Sequence, residues 1–374
     1  MKFFNFIRRN LFVLLGWGGW LTLTMTHTVL NDNLNPVSMS VFAVSIFIVM
    51  LGCVFAVNHH AEKLSEMLKE PFGTLILTLT VASIEVSILL EVMMTGNHNP
   101  SMLRDTVFAT LMIMLNGMVG LSLLAGSWRH FEQTFNLRGT LSYLHLIAPL
   151  SLILLVMPNG TLSSSGPTLN PVQEIFLGIL CILVYLLFLF MQTTRHKELF
   201  NEHPSESSEH SLNIPKQTAH QNKNWTVVFS SASLIIAVIP IVLLAEFLGN
   251  FINYGIETLH APSELGGFIV AALVLISEGL AAYQGALNNH MQRAVNLCLG
   301  SALSTIALTV PAIMLAGGLQ NLTLTLGISS SNSTLLYASL FTSLITFITG
   351  KTTVLQGHVH LLLFFCYIFL MFYP

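Results

Sequence analysis

Charge is scarce in this chain. Of its 374 residues, 8% are Asp, Glu, Lys or Arg, against about 25% in an average soluble domain. So few charges cannot solvate a surface in water. With 53% hydrophobic residues and a mean hydropathy of +0.73, the chain must be solvated by lipid. The net charge of −3 leaves no basic surface for a nucleic-acid partner. Cysteine is scarce too. Cys53, Cys181, Cys298 and Cys366 lie singly in apolar runs with no CxxC pairing, as small core residues do. Catalytic motifs are missing: there is no HExxH, no GxSxG and no nucleophile with an evident base. A membrane-embedded enzyme is therefore the weakest reading, and no cofactor is expected.

Long hydrophilic stretches are absent as well, with one exception. Residues 196–224 are rich in Ser, Glu, His, Pro and Asn and lack the apolar residues needed to fold alone. His196, His203 and His210 recur every seven residues there. The segment reads as a solvated linker between two halves, with a regulatory histidine cluster as the alternative.

Apolar runs make up the rest. A span needs about 20 apolar residues to cross the hydrocarbon. Candidates lie at about 11–30, 40–58, 72–95, 105–127, 141–157, 172–192, 225–248, 265–287, 294–316, 333–350 and 355–373. The chain thus reads as an all-α membrane protein of about eleven transmembrane helices. Its opening, MKFFNFIRRN followed by an apolar run, resembles a secretory signal, but no small-x-small cleavage site follows, so it counts as a first helix. With the N-terminus cytoplasmic, 13 of the 14 Lys and Arg residues fall inside and only Arg104 falls outside. That places the C-terminus outside.

Two segments look like copies. EPFGTLILTLTVASIEVSILLEVMMTG begins at Glu70, and SELGGFIVAALVLISEGLAAYQGAL begins at Ser263. Without gaps, Gly73 matches Gly266 and Glu85 matches Glu278. The two helices run in opposite directions in the eleven-span topology. The expected organisation is an extra first helix (1–35), a five-helix repeat (36–195), the hydrophilic loop (196–224) and an inverted five-helix repeat (225–374).

A carboxylate at mid-membrane costs roughly 2.5–3.5 kcal/mol on insertion scales, so it normally faces a cavity and serves function. A divalent cation stripped of water needs hard oxygen ligands and negative charge. Two carboxylates supply both, and in low dielectric they cannot cheaply stay charged when the cation leaves. One site then holds either a cation or protons, which is enough for antiport provided that the empty, charged site cannot easily reorient. Glu85 and Glu278 are the candidate cation and proton carriers, with Ser83, Asn116, Ser301 and Ser304 as auxiliary oxygen ligands. Glu91 and Glu246 lie toward the outer surface and suit snorkelling or an access role. A passive cation channel is the main rival, although paired inverted repeats favour a carrier.

The strings EPFGTLILTLTVASIE, RDTVFATLMIMLNG, SELGGFIVAALVLISEG and QRAVNLCLGSALSTIALTVPAI resemble the bacterial ChaA-type calcium/proton antiporters of the calcium/cation antiporter superfamily. The resemblance covers nearly the whole chain. It implies a protein of the cell inner membrane, its C-terminus then periplasmic, that exchanges Ca²⁺, with Na⁺ or K⁺ also open, for protons, and it implies that Glu85 and Glu278 carry them. Plant and fungal members have Gly-Asn-x-x-Glu in each repeat. Here the stretches are Val81-Ala82-Ser83-Ile84-Glu85 and Val274-Leu275-Ile276-Ser277-Glu278, without the asparagines. Two neutral ligands are therefore missing, which leaves room for monovalent cations.

Overall fold

The structure is a computed structural model and describes residues 2–30, 36–68, 72–95, 99–200, 223–320 and 322–374. His203 and His210, and with them most of the hydrophilic loop, lie outside the described residues.

Among the described residues, eleven helices account for the fold. They are α1 (Lys2–Leu30), α2 (Pro36–Met67), α3 (Phe72–Met94), α4 (Met102–His130), α5 (Leu137–Leu155) and α6 (Pro171–Arg195). After the loop come α7 (Lys223–Thr258), α8 (Glu264–Leu287), α9 (Met291–Leu319), α10 (Ser330–Ile348) and α11 (Val354–Phe372). Each expected span falls on one of them. Among the described residues, nine are long and apolar enough to cross a membrane. The exceptions are α1, whose described apolar stretch is only Leu11–Met25, and α10, which is diluted by Ser330, Ser331, Asn332, Ser333, Ser339, Ser343 and Thr346.

Local chemistry starts these helices where the sequence allows. Asn170 and Gln173 close a reciprocal cap on α6, with Pro171 in its first turn. Thr353 and Gln356 do the same for α11, and Ser329 caps α10. Matching caps on α6 and α11 are one sign of the repeat. The long helices α4 and α9 give another, since each is 29 residues and contains a π turn, at Met112–Met118 and Thr305–Thr309. Such turns open the backbone ladder and often mark functional sites.

The connections repeat as well. The α4–α5 loop pairs with the α10–α11 turn through a Thr134–Lys351 bridge, and the α5–α6 loop pairs with the α9–α10 loop through Thr168–Thr325. Among the described residues these bridges are isolated and no strand forms. Helices α2–α6 thus correspond to α7–α11 in inverted order of direction, with α1 lying across α2 and α7. The two bridges lie at opposite ends of the bundle. Arg129, Arg138, Arg195, Arg293 and Lys351 belong to helix ends and turns at the end with the Thr134–Lys351 bridge. Arg104 lies at the other end and donates to the Gly327 carbonyl at 3.3 Å.

Candidate functional site

Glu85 and Glu278 sit halfway along α3 and α8, which are in contact at the centre of the bundle. Glu85 is 2% exposed. Thr305 Oγ1 lies 3.0 Å from both of its carboxylate oxygens, and Thr309 Oγ1 donates to Oε2 at 2.7 Å. Both threonines belong to the π turn of α9, so the first repeat's acid is held by the second repeat's hydroxyls. These bonds offset the cost of taking a carboxylate out of water. Glu278 is more open and accepts a hydrogen bond from Ser301. Among the described residues no group of three or more His, Cys, Asp or Glu gathers. A cation here would be held by two carboxylates and neutral oxygens.

A cavity of about 630 Å³ leads to Glu278. Its walls are Thr78 and Val81 of α3, Tyr143 of α5, Tyr185 and Gln192 of α6, and Arg293 to Ser304 of α9. It reaches the end of the bundle where Arg293, Gln192 and Phe200 lie. Glu85 is not part of its lining.

The inverted repeat makes the opposite crevice, between α8 and α4, the counterpart of this one. That crevice is shut. A Cβ on Gly267 of α8 would meet Asp105 C at 2.5 Å and Thr106 N at 2.6 Å, so the two backbones touch. The loops above it interlock, with Asn159 donating to the Ile328 carbonyl at 2.7 Å and Thr325 N to the Pro100 carbonyl at 2.9 Å. By contrast, α3 meets α9 chiefly at the π turn. Two equivalent crevices therefore stand one open and one closed.

The auxiliary residues separate. Ser301 touches Glu278, and Ser304 lines the cavity while its hydroxyl donates to the Ser301 carbonyl at 3.0 Å. Asn116 is fully buried but does not reach either glutamate; it donates to Ser339 at 2.8 Å. Ser83 must be set aside. It is exposed and bonds the Leu79 carbonyl of its own helix at 2.6 Å. Two residues before Glu85 is about 200° around the helix, so Ser83 points away from the site. Glu91 and Glu246 lie close enough to each other to interact and take no part in the site.

Three residues not singled out from the sequence belong here. Thr305 and Thr309 follow Ser301 at i+4 and i+8, one face of α9, and that spacing was the available signal. Asn58 of α2 gave none. Its amide donates to Ser277 at 2.6 Å, beside Glu278, and its buried Oδ1 has no partner among the described residues.

The chain matches the sodium/calcium exchanger protein family over residues 37–194 and 229–373, one segment in each repeat. It belongs to that family. The exchanger is 36% identical over 324 residues to the sodium-potassium/proton antiporter ChaA of Escherichia coli, covering 86% of each chain. Among solved structures it superposes on native YfkE with a TM-score of 0.72 at 15% identity, covering 97% of this chain and all of the other. It also superposes on the H⁺/Ca²⁺ exchanger CAX with a TM-score of 0.68 at 11% identity, covering 97% and 88%. At such identities the structures share the fold with this exchanger. The relatives are exchangers and antiporters, not enzymes.

Proposed function

We propose that the exchanger carries a cation out of the cytoplasm against protons, by alternating access to one central site made of Glu85 and Glu278. The observation that supports it most is the asymmetry of the two glutamates. Glu278 faces an open cavity while Glu85 is closed in by Thr305 and Thr309. A cation arriving through the cavity meets Glu278 and Ser301 first, and its positive charge draws Glu85 to it. Ser304 and the Asn58 amide oxygen add neutral ligands. Asn116 joins from the other repeat when the crevices exchange. Without the cation, the pair takes up protons in its place. The repeats at 36–195 and 225–374 are the moving units, and the 196–224 loop links them.

Ca²⁺, Na⁺ and K⁺ all suit an oxygen site of this kind. ChaA, by its name, exchanges sodium and potassium for protons, and the relative from Aphanothece halophytica, 23% identical over 226 residues, is by its name a Ca²⁺/H⁺ antiporter. The decisive experiment is flux in everted vesicles holding a pH gradient. Each chloride salt in turn should release protons on addition, and the salt with the lowest half-saturating concentration is the substrate. A channel would pass the cation down its gradient with no proton movement.

The end with Arg129, Arg138, Arg195, Arg293 and Lys351 is taken as cytoplasmic, which makes the state inward-open. A reporter fused after Pro374 should then be periplasmic and one inserted at Ser208 cytoplasmic. A cytoplasmic Pro374 reporter would reverse the sidedness while leaving the paired glutamates in place.

A further inference from the structure

A fully buried histidine lies outside the site and has a specific grip on it. His360 of α11 is 0% exposed, within a helix that otherwise faces lipid along much of its length. Its Nδ1 lies 3.4 Å from Asn116 Oδ1, and its Nε2 lies 3.0 Å from Thr346 Oγ1. Two glycines let it come so close. A Cβ on Gly120 would sit 3.1 Å from both His360 Cβ and the Gly357 carbonyl, and a Cβ on Gly357 would sit 2.8 Å from Leu124 N. With a proton on Nδ1, His360 donates to Asn116 and accepts from Thr346, so every polar atom of the ring is satisfied.

The repeat says what Asn116 would otherwise do. Helices α4 and α9 have the same length and begin Met102-x-Arg104 and Met291-x-Arg293. The connection before α4 is longer, residues 95–101 against residues 288–290. In this register Asn116 is the counterpart of Thr305. Thr305 reaches across to the opposite repeat's glutamate, Glu85. Asn116 does not reach Glu278; His360, Ser339 and the Met112 thioether hold it instead.

We propose that His360 is a positioning residue that holds Asn116 away from Glu278 in the inward-open state and releases it when the α4–α8 crevice opens. This rests on the two-glutamate reading of the site. The latch stabilises the conformation whose cavity faces the cytoplasm, so losing it shifts the population toward the other one. A ligand entering a less populated state binds with a proportionally weaker apparent affinity. One hydrogen bond of this kind corresponds to a shift of about three- to tenfold.

The test is cation-driven proton movement in everted and right-side-out vesicles. His360→Ala should raise the cation KM about three- to tenfold at the cytoplasmic face and not at the opposite face. His360→Asn keeps an amide donor near Nδ1 and should stay close to wild type. His360→Gln, whose donor sits at the Nε2 position, should behave like His360→Ala. In an Asn116→Ala background His360→Ala should add nothing further, because the contact it removes is already gone. Equal KM changes at both faces, unchanged KM at both, or additivity with Asn116→Ala would overturn the latch. Glu85→Gln run alongside tells the two failures apart: if it still exchanges, the site reading fails, and if it is dead while the cycle is additive, only the latch does.

Discussion

Vesicles carrying Glu85→Gln or Glu278→Gln are expected to show no cation-dependent proton movement, although the protein is inserted and folded. Glutamine keeps the shape and one accepting oxygen, so Thr305 and Thr309 can still donate at position 85 and Ser301 at position 278. What it lacks is a charge to balance the cation and a proton to exchange. The loss should be at least about a hundredfold, because both halves of the cycle depend on that charge. Glu→Asp at either position moves the carboxylate back by one methylene and should leave weak exchange with altered affinity. The ordering is the informative part. Glu91→Gln and Glu246→Gln should be mild, since those acids make no contact with the central pair. Should one of them be the dead variant while Glu85→Gln still exchanges, the repeat correspondence has chosen the wrong residues.

The second large effect is expected at Gly267. Its missing Cβ lets α8 touch the α4 backbone, and the atoms it would strike, Asp105 C and Thr106 N, cannot move aside by changing rotamer. Gly267→Ala must therefore part the two helices. Overpacking of this sort costs roughly 1–3 kcal/mol, and the cost falls only on the conformation in which this crevice is closed. The variant should lose most of its exchange by being held with the α4–α8 crevice ajar. A cysteine at Thr106, which is fully buried in the closed state, reports it directly. Thr106→Cys should react slowly with a water-soluble maleimide in the wild-type background, where the crevice opens only transiently, and much faster in the Gly267→Ala background. Wild-type exchange together with an unreactive cysteine would show that this crevice does not open in the cycle.

How much of this was legible beforehand follows from what each signal rests on. The eleven helices and their inverted pairing could be read because apolar length and basic-residue placement are summed over many residues. Glu85 and Glu278 stood out because a carboxylate has few reasons to lie in an apolar helix. Hydroxyls carry no such contrast. Thr305 and Thr309 looked like ordinary packing residues, and Ser83 attracted notice only by adjacency to Glu85, on the opposite side of the helix. Asn58 and His360 act through partners on other helices, far along the chain, and no local pattern marks such a contact. The π turns were invisible for a similar reason: they depend on how α4 and α9 pack, not on a sequence period. The open and closed crevices could not be read at all. The aligned repeats differ at this point, where Gly267 stands opposite Thr74, but no local pattern says which pair of helices packs closed.

The central claim is that protons and the cation compete for one pair of carboxylates. The most direct test is the cation KM of the purified, reconstituted exchanger across a pH series, with the ion gradient held constant. Competition predicts that KM rises as pH falls, because protons occupy a growing fraction of sites, while the rate at saturating cation changes little. A KM that stays constant with pH while the saturating rate alone changes would contradict a shared site, and would place proton transfer somewhere other than Glu85 and Glu278.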